Sequence, residues 1–400
     1  MRALSNRAAF WTSGTVVALA LWTSACPTMV YPVYETDWAL STTTVSWVFA
    51  AYPLALIPVL ILFGDLSDRI GRRASMLLGL AAELVGVLLF VVAGDVLWLL
   101  AGRAFMGVGV GLSISPASVA MVEFSAPGAR HRAGAMATAV SAVGIALAML
   151  VGGALTQYAP FPLRLNFVVL AAAIVPVAVA VAFLPRHTAP AVAGAWRVRA
   201  IAIPRGSRRA FAMGAVAFAS SFLLGAIVLP LGARIAQDLA GSTNALVTGA
   251  LLSVFAACIA VFSLLARRVE TWTLITVGAA GSILAVWAFV LTGTTHSLVM
   301  FFVASACAGA AYAFDYAGGL SVFASYAAPE HRASMTSGGF LVGYAAQGVG
   351  APLVGAVTTA KGLLAGLVSG AGAFGIVFAA VLAAGAAVVA RRSRRRRPGA

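Results

Sequence analysis

Charged residues make up only 9% of this 400-residue chain, against about a quarter in ordinary soluble domains. So little charge cannot clothe a water-soluble domain of this length, which excludes a soluble globular fold. Lys361 is the only lysine, so a glycine-rich phosphate loop closed by lysine is excluded as well. The three cysteines, Cys26, Cys258 and Cys307, fall in apolar stretches without metal-ligand spacing, so neither a disulfide framework nor a metal site is expected. The four histidines, His131, His187, His296 and His331, lie in separate loops. A membrane-embedded enzyme or sensor, the remote alternative, needs a catalytic cluster or a soluble output domain, and no polar segment exceeds about 25 residues.

What the chain has instead is apolar length, with 62% of its residues hydrophobic. Stretches of about 20 apolar residues cross a hydrocarbon core of about 30 Å. They fall at 9–33, 43–63, 74–93, 96–121, 133–156, 165–184, 210–232, 245–266, 271–292, 298–325, 333–357 and 363–389. The expected fold class is therefore an all-α integral membrane protein with 12 transmembrane helices. Arg2 and Arg7 before an apolar run resemble a signal peptide, but the run is too long and Pro27 follows Cys26, so an uncleaved first span is expected.

The net charge of +15 would point to nucleic acid in a soluble chain. Here the charge sorts by side. With twelve spans, 22 bases fall on the side of both termini, Arg164, Arg234 and Lys361 fall opposite, and Arg103 lies within a span. That asymmetry places both termini in the cytoplasm of a plasma (inner) membrane and makes the charge a topology code. The Arg-rich tail at 391–397 then touches anionic lipid rather than nucleic acid.

The longest connection, 185–209, carries six arginines, three prolines and no acid. It divides the chain into a bundle at 1–184, a basic cytoplasmic linker at 185–209, a second bundle at 210–390 and a cytoplasmic tail at 391–400. The halves repeat: Ala126-Pro127, His131-Arg132-Ala133 and Met136 answer Ala328-Pro329, His331-Arg332-Ala333 and Met335, with the histidines 200 residues apart. A duplicated six-helix unit requires such a match before the fifth span of each half.

After the second span the chain reads Gly64-Asp65-Leu66-Ser67-Asp68-Arg69-Ile70-Gly71-Arg72-Arg73. This resembles the signature loop of the major facilitator superfamily at every restricted position, and with twelve spans and a half-chain repeat the resemblance covers the whole chain. Gly64 and Gly71 permit a tight turn, and Asp68 can face a helix N-terminus. The resemblance implies that this loop gates two rocking six-helix bundles, with Glu123 as a partner for Arg72 or Arg69. The plainer reading is that these arginines only set topology.

Three charged residues lie inside spans, and such groups are costly unless they serve or are paired. Asp315 is in span ten, which in this fold lines the cavity; helical spacing puts Ala308, Ala311, Tyr312 and Gly319 beside it, making it a candidate proton carrier. The alternative is an acid that merely pairs helices. Arg103 precedes Gly107, Gly109 and Gly111, like a second family motif of arginine and close-packed glycines; it faces a wet cavity or partner, or else snorkels to the outer rim. Glu83, mid-span in the third helix that the fold keeps peripheral, is with Arg103 a further candidate for substrate or proton coupling. Gly144, Gly152 and Gly153 frame span five, with Ala148 and Met149 where proton-driven exporters of the family show glycine and proline. Pro352 bends span eleven. Tyr31, Tyr312 and Gln347 are candidate cavity-lining residues, or else core or interfacial side chains.

The expected function is a monomeric secondary transporter working by alternating access, whose partners are a small-molecule substrate and the lipid bilayer. It needs no cofactor, with a proton gradient as energy source. The family branch it most resembles exports drugs or metabolites as proton antiporters. The runner-up, favoured by the altered centre of span five, is a uniporter or symporter importing a small organic solute.

Overall fold

The computed structural model describes residues 4–64, 66–126, 130–185, 203–326 and 331–395. Asp65, most of the 185–209 linker, Pro127, Ala328, Pro329 and the last five residues of the tail lie outside the described residues. Among the described residues the regular structure is helical throughout. The first half contains α1 (Asn6–Ala25), a 3₁₀ turn (Cys26–Met29), α2 (Tyr31–Asp37), α3 (Thr42–Phe63), α4 (Leu66–Ile70), α5 (Arg72–Val91), α6 (Val96–Glu123), α7 (Arg130–Tyr158) and α8 (Pro162–Ala182). After a second 3₁₀ turn, Arg205–Ser207, follow α9 (Arg208–Arg234), a π turn (Ile235–Leu239), α10 (Ala245–Ala266), α11 (Thr271–Thr295), α12 (Leu298–Tyr326), α13 (Arg332–Lys361) and α14 (Leu363–Arg395).

Twelve of these stretches are long and apolar enough to cross a membrane, and they match the twelve spans read from hydropathy. The first is longer than expected, Asn6–Asp37, because α1 does not stop at its proline. Pro27 has no N–H to donate, so the helix tightens into the 3₁₀ turn and resumes as α2. Polar residues at the span ends set the starts. Asp95 Oδ1 accepts from the Leu97 and Trp98 amides at 2.8 and 3.4 Å, and Glu270 Oε2 accepts from those of Trp272 and Thr273 at 3.0 and 3.2 Å.

The chain forms two compact units. The first comprises Met1–Leu40, Thr44–Arg199 and Asn244–Ala256, the second Ser41–Thr43, Ala200–Thr243 and Ala257–Ala400. The start of α10 belongs with the first unit because small residues let it approach α7: a Cβ on Gly153 would lie 2.6 Å from the Ala245 carbonyl oxygen, and one on Gly249 would run into the Met149 carbonyl. In the first unit α1 packs on α6 and α7, and α5 on α6 and α8. In the second, α9 packs on α12 and α13, and α11 on α12 and α14. Counted by spans, the pairings are the same in both units, which is what a duplicated six-helix element produces.

Candidate functional site

The basic loop after the second span is a short helix between two glycines. Gly71 has φ of 89°, a left-handed backbone that a side chain would strain, and it turns α4 into α5. That turn brings Arg72 over the preceding residues, where it pairs with Asp68 and donates to Ser67 Oγ at 2.8 Å. Arg72 Nε also lies 3.5 Å from Glu123 Oε1 at the end of α6, so the structure brings together residues 51 positions apart. Arg73 donates to the Leu184 carbonyl at 3.5 Å. Arg69 has partners within its own surroundings. Because the Arg72 and Glu123 side chains are 17% and 30% exposed, their coupling is expected at about 0.5–1 kcal/mol. A double-mutant cycle of Arg72→Gln and Glu123→Gln, read by unfolding of the purified protein, checks this; additive losses would mean the pair is not coupled.

Arg103 does not snorkel. It is fully buried, and its guanidinium serves two broken helices. Pro53 cannot donate to the Phe49 carbonyl four residues before it, and Arg103 Nη2 takes that carbonyl at 3.4 Å. Nη1 donates at 3.0 Å to the carbonyl of Ser24, where α1 gives way to its 3₁₀ turn. The Tyr52 and Phe49 rings lie 4.7 and 5.6 Å from the guanidinium carbon, close enough for cation–π attraction. Nε has no hydrogen-bond partner. The glycines after Arg103 work as close contacts: a Cβ on Gly107 would strike the Tyr52 carbonyl, one on Gly109 would lie 2.5 Å from Glu83 Cγ, and one on Gly111 would lie 2.8 Å from Val59.

The two intramembrane acids occupy corresponding places with their helices exchanged. Glu83 on α5 accepts from Ser113 of α6 at 2.8 Å and from Thr23 of α1 at 3.1 Å. Asp315 on α12 accepts from Ser282 of α11 at 2.7 Å through Oδ2, while Oδ1 has no partner. By span number the first pair joins three to four and the second nine to ten, so acid and hydroxyl have traded sides between the units. Both acids are fully buried. Glycines make the room: Cβ atoms on Gly278 and Gly281 would meet Asp315 and Ala311 respectively. Asp315 thus faces α11 together with Ala311, one of the four neighbours that helical spacing gave it, while Tyr312 packs toward α9.

Tyr312 belongs to a cluster of rings that sequence reasoning missed. Three aromatic pairs at i, i+4 spacing, Phe218 and Phe222 on α9, Tyr312 and Tyr316 on α12, and Phe340 and Tyr344 on α13, meet with centroids 4.7 to 6.5 Å apart. The two tyrosines of α12 stack at 11° and the pair on α13 at 20°. Phe218 and Phe222 are buried, whereas the other four rings are half-buried. Gly319 and Gly343 seat them, since Cβ atoms there would lie 2.6 and 2.7 Å from Phe218 and Phe222. The i, i+4 spacing was the available signal.

The remaining candidates are placed as follows. Tyr31 is buried in the first unit with its hydroxyl unpartnered. Gln347 is buried against Gly225. A Cβ on Gly144 would meet the Ala18 carbonyl, and one on Gly152 would lie 3.1 Å from Met29. Pro352 is buried inside α13.

Twelve membrane-length helices in two repeat-built units, a glycine-bracketed basic loop and ionisable side chains held within spans define a polytopic protein of the transporter-fold class. The model of the Major Facilitator Superfamily matches residues 11–351, and the chain belongs to that family. Curated relatives match over a shorter stretch. The puromycin resistance protein pur8 of Streptomyces alboniger is 35% identical over 147 residues, 36% of this chain and 27% of that protein. The multidrug efflux pump LfrA of Mycolicibacterium smegmatis is 33% identical over 146 residues, again 36% of this chain and 27% of that protein. The matches therefore span about a quarter of those relatives. In fold, the chain is similar to a bacterial homologue of the human lysosomal transporter Spinster, solved inward-facing and unoccupied. The TM-score is 0.75 at 17% identity, covering 95% of this chain and 96% of that one.

Proposed function

We propose that this chain is a secondary transporter that exports small amphipathic molecules by alternating access, driven by a proton gradient. The observation that carries the reading is the Arg72, Asp68 and Glu123 cluster on a glycine-bracketed loop, joined to a family whose matching relatives include a resistance protein and a multidrug efflux pump. The loop gates by making and breaking these charge contacts. The half-buried rings Tyr312, Tyr316, Phe340 and Tyr344 receive the substrate. Their faces favour planar aromatic molecules and organic cations, at about 0.5–1.5 kcal/mol per ring contact.

Asp315 carries the proton. An ionised carboxylate held by one hydroxyl inside the bilayer is poorly balanced, so proton exchange requires the α11–α12 seam to admit water. Because α12 also bears Tyr312 and Tyr316, that opening shifts the rings that hold substrate. The protein sits in the inner membrane with both termini in the cytoplasm, supported by 22 bases against three across the connecting segments. The second reading, import by a uniporter or symporter, is favoured by Ala148 and Met149 at the centre of span five.

Everted membrane vesicles distinguish the two. With ethidium as probe and a proton gradient imposed, export predicts accumulation inside the vesicles that collapses when the gradient is discharged. Accumulation only in right-side-out vesicles would favour import.

A further inference from the structure

One end of the second unit carries cations that the transport reading uses only to set topology. Arg205 lies in the 3₁₀ turn before α9, and Arg208 and Arg209 open that helix. Ser207 Oγ donates to the Tyr326 carbonyl at 3.0 Å, which ties the turn to the end of α12. Arg267 and Arg268 lie just before α11. All five arginines are exposed, and none makes a salt bridge among the described residues. The nearby anion, Glu270, is committed to capping α11.

One turn inward, an apolar groove of 230 Å³ opens along α9, α11 and α14. Met213 and Val216, Ile275, and Val381 and Ala384 line it. At 1.5 Å rise per residue, Met213 lies about 6 Å and Val216 about 10 Å beyond Arg209 along the α9 axis. Ile275 is in the second turn of α11. Trp272 Nε1 donates to the Tyr326 hydroxyl at 3.3 Å beside these residues, the kind of aromatic pair that marks the boundary between headgroups and hydrocarbon.

We propose that the arginines and the groove together bind one phospholipid with an anionic headgroup. Arg208 and Arg209 hold the headgroup through charge-assisted hydrogen bonds, and an acyl chain lies in the groove between α9, α11 and α14. Two features select this occupant. Among the described residues the guanidinium groups make no salt bridge, and the arginines stand about one to two turns of α9 from the groove residues Met213 and Val216, so a headgroup held at the rim leaves its acyl chain beside the groove. A groove without polar lining accepts hydrocarbon and leaves recognition to the rim.

The test uses the full chain purified in detergent, with native mass spectrometry after adding phosphatidylglycerol or phosphatidylcholine of identical acyl chains. Wild type is expected to retain phosphatidylglycerol in preference. The Arg208→Gln, Arg209→Gln double variant should lose that preference, with roughly thirtyfold weaker phosphatidylglycerol binding and unchanged phosphatidylcholine binding. Val216→Trp, which fills the groove, should weaken both lipids. Ala384→Leu provides the same reading if the tryptophan variant does not elute as a single species. Equal retention of the two lipids by wild type, or an undiminished preference in the double variant, would overturn the proposal.

Discussion

Asp315→Asn is expected to abolish proton-driven accumulation of substrate, reducing it to the level of membranes lacking the protein, while the protein still inserts and folds. Asparagine keeps the volume, and its side-chain oxygen can still accept from Ser282, now 2.7 Å from Oδ2. Its amide nitrogen would stand where Oδ1 has no partner, at a stability loss of about 1–3 kcal/mol for an unsatisfied buried donor. That loss leaves the protein folded but removes the only carboxyl group on α12. Gradient-independent exchange of labelled for unlabelled substrate should persist, because the rings of α9, α12 and α13 are untouched. Unaltered gradient-driven flux would sink the assignment of Asp315. Glu83→Gln is the matching comparison. Glu83 already has two hydroxyl donors, so its replacement should lower stability and leave coupling in place.

The second large effect is expected at Arg103. Arg103→Met removes the donors to the Ser24 and Phe49 carbonyls together with contacts to two aromatic faces. Each orphaned carbonyl costs about 1–3 kcal/mol, so a loss on the order of 3–5 kcal/mol is expected, a large share of a typical total stability. Unloading a buried charge offsets part of this in general, but a methyl group cannot satisfy a backbone oxygen. Arg103→Lys should fall between, because a compact ammonium does not span the carbonyls of two helices. The mechanism makes a sharper demand: Pro53→Ala, added to Arg103→Met, restores an amide donor to the Phe49 carbonyl and should recover part of the loss. Thermal unfolding in detergent measures all three. A double variant no more stable than Arg103→Met would show that the proline-freed carbonyl is not what Arg103 serves.

These two residues also show how far the sequence could be read. Their depth in the membrane was legible, because Arg103 and Asp315 are the only charged residues in the apolar segments 96–121 and 298–325. Their surroundings were not. Helical spacing put Ala308, Ala311, Tyr312 and Gly319 beside Asp315, and Ala311 does share its face toward α11, but nothing local named Gly278 and Ser282 as the groups its carboxyl meets. Which side of a helix a short side chain takes depends on where a neighbouring helix is thin enough to admit it, and that neighbour lies more than thirty residues away. For Arg103 the sequence offered a wet cavity, a partner or the outer rim; it has partners, and they are two backbone carbonyls. Pro53 announced one free carbonyl in the sequence, but nothing local stated which donor would reach it.

The aromatic cluster teaches the same point from the other direction. Each pair, Phe218 with Phe222, Tyr312 with Tyr316 and Phe340 with Tyr344, stands at helical spacing and could have been noticed singly. That all three converge depends on glycines at 319 and 343 letting the helices close. Arg72 and Glu123 were legible together only through the resemblance to a known loop, because their meeting at 3.5 Å requires α5 and α6 to run side by side.

By itself, then, the sequence determined the solvent and the twelve spans. Those follow from a quantity that adds along the chain, apolar length against bilayer thickness. Only the tertiary structure decided which hydroxyl holds each acid, which carbonyls Arg103 holds and which rings assemble on the second unit. Those depend on contacts between helices, where a missing Cβ or a missing amide hydrogen on one helix sets what the next can place there.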